Sequence, residues 1–259
     1  MLIISTESSV ITAMDGTDIG LFPFLPYIFQ DFCELGSNPE VIISLINDYF
    51  TKYDNLKVLD LGCGKGAVSV KVAKAFNCKC HGIDAVPEFI TFAQTKAIEY
   101  NVAELCRFEL GDIREKVKSL HNFDVIILGS IGPVFGDYYT TLTTLSKCLS
   151  DSGIIIMDDG YIENDSKFTH PLMQKQAAIF AQIQSAGMEL IGEVIADKNK
   201  IKESDNFIIE NLEKRCLELV DKYPQKRGLF LDYIRKQYEE NDILENDVIC
   251  STMVIGKIK

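Results

Sequence analysis

Three observations predict an α/β fold built on a mostly parallel, doubly wound sheet. Short apolar runs alternate with stretches of helical period from Lys57 to Ile195. The links between the runs are long enough for right-handed crossovers, which cover both sheet faces. A glycine-rich loop, Asp60-Leu61-Gly62-Cys63-Gly64-Lys65-Gly66, stands between the first run and the first helical stretch, where a doubly wound sheet keeps its ligand crevice.

The elements follow in order. Residues 1–50 read as an irregular start followed by helices, with Phe22, Phe24, Tyr27, Phe29 and Phe32 crowded around Pro23 and Pro26. Asn38-Pro39-Glu40 opens a helix to about Phe50, with proline at an early helical position. Strands are expected at Lys57–Leu61, Cys78–Asp84, Leu105–Leu110, Phe123–Leu128, Ile154–Met157 and Met188–Ile195. Helices are expected at Ala67–Phe76, Pro87–Tyr100, Tyr138–Leu149 and Phe168–Ala186. Asp151-Ser152-Gly153 reads as a turn, and Gly187 ends the preceding helix. Ser204 or Asp205 then caps a helix to about Tyr223, Pro224 breaks it, and a second helix covers Gly228–Glu240. Val248–Ile258 is a last strand that directly follows helices. The expected organisation is a helical cap or lid over 1–50, a core over 51–200, and a helical insertion with the last core strand over 201–259.

Composition narrows the function. The 259 residues hold 26 Lys plus Arg against 38 Asp plus Glu, a net charge of −12. That balance repels nucleic acid, and no basic patch offsets it. The longest apolar run, Ile19–Phe29, is too short to span a bilayer and contains two prolines. The N-terminus has no positively charged n-region, so a cytoplasmic protein is expected. The eight cysteines show no zinc-finger spacing and read as buried or incidental thiols, so no metal is expected. Cys78 and Cys80 share one face of a strand.

The glycine loop suits two cofactors. Gly62-x-Gly64-x-x-Ala67, with Asp84 further on, satisfies a loose dinucleotide fingerprint. Asp60 beside the loop would repel a pyrophosphate, but would welcome the ammonium and sulfonium of S-adenosylmethionine. A single-domain nicotinamide-dependent reductase would also carry Tyr-x-x-x-Lys after the fourth strand. The only such pair, Tyr53 and Lys57, precedes the loop.

Val58-Leu59-Asp60-Leu61-Gly62-Cys63-Gly64-Lys65-Gly66 resembles the first motif of class I S-adenosylmethionine-dependent methyltransferases. His81-Gly82-Ile83-Asp84 resembles their second motif, Gly111-Asp112-Ile113 the stretch after the third strand, Phe123–Leu128 the fourth strand and Gly153–Ile156 the fifth. The ordered set covers roughly residues 38–197. The resemblance implies a Rossmann-like seven-stranded sheet whose last strand is reversed. It implies cofactor contacts at Asp60, Gly62, Cys63, Gly64, Gly66, Asp84, Ala85, Gly111, Asp112, Ile113 and Gly129. In that pattern Asp84 takes the ribose hydroxyls and Asp112 reaches the adenine amino group. Gly82–Ile90 resembles the small-molecule branch that includes the ubiquinone and menaquinone biosynthesis type. Gly129-Ser130-Ile131-Gly132-Pro133 lacks the Asn/Asp-Pro-Pro-Tyr signature of amino methyltransferases acting on nucleic-acid bases or protein amides.

The expected reaction is in-line methyl transfer to a small-molecule acceptor, by a monomer or homodimer with no membrane span. Positioning supplies much of the help, and a base matters only where the acceptor must lose a proton. Asp158, Tyr161 and His170 are the candidate catalytic residues. Asp158-Asp159-Gly160 also reads as a plain turn, and His170 before Pro171 as a helix start. Phe24, Tyr27, Ser130 and Tyr138 are candidate acceptor contacts; the aromatic N-terminal cluster suits an apolar or aromatic acceptor, or else plain core. As an added cap, the N-terminal segment is expected to be dispensable for cofactor binding. The rival readings are an S-adenosylmethionine-binding protein without catalysis and the nicotinamide-dependent reductase.

Overall fold

The structure is a computed structural model that describes residues 4–258; residues 1–3 and 259, the outermost positions of the expected cap and last segment, lie outside the described residues. Seven strands form one sheet: β1 (Lys57–Leu61), β2 (Lys79–Asp84), β3 (Cys106–Leu110), β4 (Phe123–Gly129), β5 (Leu149–Tyr161), β6 (Met188–Ile195) and β7 (Ile249–Lys257). Their order is β3-β2-β1-β4-β5-β7-β6. β1 to β5 run parallel, and β7 is antiparallel to both β5 and β6. The chain reverses its winding between β1 and β4, so the crevice opens above the ends of those two strands.

Strand residues alternate between two buried faces. Leu59, Ile126, Leu128, Ile155 and Met253 pack on one side against α7 (Tyr138–Leu145) and α8 (Gln176–Ser185). Val58, Val125, Ile127, Ile154 and Val254 pack on the other against α3 (Pro39–Tyr49) and α4 (Ala67–Phe76). Helices on both faces explain why the strands read as unbroken apolar runs. α5 (Pro87–Glu99) and the short α6 (Ile113–Lys116) complete the crossovers.

A third apolar cluster lies apart from the sheet. α1 (Thr6–Ala13), a 3-10 turn at Ile19–Phe24 and α2 (Leu25–Ile28) pack on α9 (Lys198–Lys222) and α10 (Arg227–Asn246). Leu21, Leu25, Ile28 and Phe29 meet Leu212, Leu219, Phe230 and Tyr233 there. The two ends of the chain thus build one cap, while α3 packs on the sheet.

The structure departs from the sequence reading in four places. Asp151-Ser152-Gly153 is a bulge inside the 13-residue β5 rather than a turn before it; pairing jumps from Phe123–Leu149 to Val125–Ile154. The helix expected to Leu149 stops at Leu145, because Leu149 already pairs in the sheet. The helix expected from Phe168 starts at Gln176: Pro171 lacks an N–H and disfavours helix at His170. α9 starts six residues before Ser204, where Asp197 accepts from the backbone N–H of Asn199 and Lys200.

Candidate functional site

The site is built from strand ends. Gly62, Gly64 and Gly66 follow β1, all with positive φ, a region open to glycine and closed to most residues. A Cβ on Gly62 would come 2.5 Å from Ile131, and one on Gly64 would come 3.2 Å from Leu35. The loop is bound to β2: Gly62 N and Cys63 N donate to Ile83 O at 2.9 and 3.1 Å. Asp84, the last residue of β2, accepts from Gly64 N at 2.8 Å and from Val86 N at 2.9 Å. Burial pushes its carboxyl pKa up against those bonds.

A cavity of about 90 Å³ lies over these strand ends. Among the expected cofactor residues, Gly62, Gly64, Asp84, Ala85, Gly111, Asp112, Ile113 and Gly129 line it together. Asp60, Cys63 and Gly66 do not. Asp60 is buried behind the loop, where its carboxyl accepts from Ser69 Oγ at 2.6 Å and burial raises its pKa to about 6. That bond holds α4 to the loop. The Cys63 thiol is buried, and Gly66 starts α4 against Ala93 and Phe108.

Asp112 is already engaged. Arg114 Nη2 donates to it at 2.6 Å and Thr6 Oγ1 at 2.8 Å, and the Arg114 guanidinium beside it holds its pKa down at about 2. Thr6 belongs to α1, whose Ser9 and Val10 also line the cavity. The sequence reading misses this roof. Its one signal is Ser5, whose side chain accepts from Ser8 N as the cap of α1.

A second cavity, of about 270 Å³, lies beside the first. The two share Ala13, Ser130 and Ile131 as wall residues. Ser130 sits just past β4 with φ of +53°, and its N–H donates to Asp158 O at 2.9 Å. A non-glycine residue held left-handed is a strained turn, here placed where the cavities meet. Of the expected acceptor-side residues, Ser130, Tyr138, Asp158 and His170 line the second cavity. Tyr138 Oη donates to Asp159 Oδ2 at 2.7 Å. Tyr161 is buried in the sheet and lines neither cavity. Phe24 and Tyr27 are also placed elsewhere. Phe24 packs edge-on to Phe230 and Tyr223, and Tyr27 Oη donates to Glu218 at 2.6 Å. Phe22, Phe24, Phe29 and Phe32 belong to the cap's apolar cluster, and Tyr27 is exposed at its edge. The sequence reading also overlooks Asp15 and Glu240, which line the second cavity from opposite ends of the chain.

The sequence profile described as a methyltransferase domain matches residues 52–239. The chain belongs to the methyltransferase domain family. Over 54% of its length this methyltransferase domain is 28% identical to malonyl-[acyl-carrier protein] O-methyltransferase of Bacillus cereus, covering 47% of that protein. It spans about half or less of the curated relatives' own length. The cyclopropane synthase MmaA2 of Mycobacterium tuberculosis shares its fold with a TM-score of 0.74 and 12% identity, over 99% of this chain and 100% of that one. A methyltransferase of Geobacter sulfurreducens crystallised with S-adenosyl-L-homocysteine aligns with a TM-score of 0.72 and 15% identity, over 90% and 97% of the two chains. The Rossmann-like methyltransferase fold with its reversed last strand is therefore shared across the whole sheet and cap.

Proposed function

We propose that this methyltransferase domain binds S-adenosylmethionine in the smaller cavity and transfers its methyl group to a small molecule held in the larger one. The observation that carries the reading is the meeting of the two cavities at Ala13, Ser130 and Ile131. A donor in one and an acceptor in the other face each other across that seam, as in-line displacement requires. The residues present suit the cofactor. The glycine loop leaves its backbone open to close approach, Asp84 offers a carboxylate to two hydroxyls, and Asp112 lies across the cavity. When bound, S-adenosylmethionine supplies an electrophilic methyl group on a sulfonium. The chain's part is to orient it and to keep water out.

The S-adenosyl-L-homocysteine bound to the Geobacter neighbour and the O-methyltransferase activity named for the Bacillus relative support this reading. The net charge of −12 favours a small molecule over nucleic acid. The likeness of Gly82–Ile90 to the ubiquinone and menaquinone biosynthesis type belongs to the same proposal, as do a cytoplasmic location and a monomeric or homodimeric state. So does a division of labour in which the cap, from residues 1–34 and the helices of 201–246, selects the acceptor. Calorimetry with S-adenosylmethionine, S-adenosylhomocysteine and NAD tests it. Micromolar binding of the first two and none of NAD is expected. Binding of NAD alone would replace the reading with the reductase. Cofactor binding without methylated product from any acceptor that binds would leave a non-catalytic binder.

A further inference from the structure

The larger cavity has a one-sided chemistry. Asp15, Asp158, Asp159 and Glu240 line it, and among the described residues no lysine or arginine does, which leaves His170 as the basic side chain of its wall. Leu128, Met157 and Leu244 add apolar wall beside the hydroxyls of Ser130, Tyr138 and Thr141. Asp15 is exposed where it lines the cavity, and desolvation by the surrounding protein, followed by the charge of Glu240, raises its pKa to about 7. Carboxyls gathered in a concave, partly dry space without a cation are costly unless a ligand supplies one.

Ser37, 7% exposed and with no hydrogen-bond partner for its buried hydroxyl, stands behind that wall between Gly129 and Asp158 and lines neither cavity. Asp158 itself accepts from Thr252 Oγ1 at a long 3.2 Å, so its carboxylate keeps acceptor capacity for a donor on a ligand. Among the described residues no three His, Cys, Asp or Glu side chains are grouped closely enough to hold a metal ion.

We infer that the acceptor is an organic amine with a short apolar body, its ammonium drawn in by Asp158, Asp15 and Glu240. This rests on the methyltransferase reading above. The ammonium gives one proton to a carboxylate of the cavity wall or to His170. The freed nitrogen lone pair forms the bond to the methyl carbon, and the carbon–sulfur bond breaks with its electron pair going to sulfur. The products are S-adenosylhomocysteine and the N-methylated ammonium, and the proton leaves the wall to solvent. The polar handle expected on an apolar or aromatic acceptor is here assigned as an ammonium, because the cavity wall is acidic.

Benzylamine, benzyl alcohol and benzoate share one shape and differ in charge, which makes them the probes. Each is titrated by calorimetry into full-length protein saturated with S-adenosylhomocysteine at pH 7.5. Benzylammonium is expected to bind at least about tenfold tighter than the alcohol, with benzoate weakest. Asp158→Asn and Glu240→Gln should each narrow the amine-to-alcohol ratio to within about threefold, and leave S-adenosylhomocysteine affinity within about threefold. Benzylammonium binding no tighter than benzyl alcohol, absence of binding included, overturns the inference, as does a ratio unmoved in every folded variant. Should Asp158→Asn fail to fold, Glu240→Gln on α10 decides. Failure of S-adenosylhomocysteine itself to bind would instead overturn the underlying reading, so the two outcomes are separable.

Discussion

At the scale of single residues, Asp84 and Lys65 hold the loop that the site depends on. The two Asp84 oxygens each already accept a backbone N–H, one from the loop and one from the start of α5. A ribose must share those oxygens, so the carboxylate both shapes the loop and meets the ligand. Asp84→Asn replaces one acceptor with a donor, which should weaken S-adenosylhomocysteine at least about tenfold, or ~1.4 kcal/mol, by calorimetry. Lys65 is 4% exposed and, among the described residues, has no carboxylate partner; its ammonium donates to Phe29 O at 2.5 Å and Phe32 O at 2.6 Å and lies over the Phe92 ring. It ties the glycine loop to the cap. Burial holds its pKa at about 8, below the ordinary 10.5. Between those values the unfolded chain binds the proton and the folded chain does not, so stability from this group rises with pH. Urea unfolding of wild type and Lys65→Met at pH 7.5 and pH 10 should show the difference moving in favour of wild type at the higher pH.

At the scale of elements, the glycine loop and α1 divide the work of enclosing the cofactor-side cavity. Gly64→Val forces a branched side chain into φ of +50° and toward Leu35. Loss of measurable S-adenosylhomocysteine binding is expected. Thr6→Ala removes one charge-assisted bond to Asp112, on the order of 1 kcal/mol. Hydrogen exchange across Thr6–Ala13 should quicken about fivefold, the rate factor that energy implies. What the sequence makes legible at this scale follows from burial. β1, α4 and β6 match their expected bounds residue for residue, because two-sided burial and flanking glycines mark them sharply. α1 has only one buried residue, Ile11, and so too weak an apolar pattern to announce itself. The first turns of α9 are charged, and their helix is fixed by the Asp197 cap rather than by periodicity. The cofactor loop is legible for the same reason as β1, since backbone conformation there demands glycine. The acceptor wall is not, since Asp15, Asp158 and Glu240 come together only through tertiary packing.

At the scale of the whole molecule, the N-terminal segment is structural. It supplies Leu21, Leu25, Ile28 and Phe29 to the cap core and Thr6, Ser9 and Val10 to the cofactor-side wall. Deleting residues 1–34 uncovers Leu212, Leu219, Phe230 and Tyr233. The truncated protein should lose more than about tenfold in S-adenosylhomocysteine affinity, above 1.4 kcal/mol, and melt at lower temperature. Retained affinity in a folded truncation would return the segment to the dispensable role expected of an added cap. The position of α1 has a further consequence for traffic. The same short helix roofs the smaller cavity along Thr6–Val10 and reaches the larger one at Thr12 and Ala13. Movement of that helix to admit either reactant would open the wall of the other. Arrival and departure should follow a fixed queue, with the nucleoside sulfide waiting on the same door through which the methylated product has left.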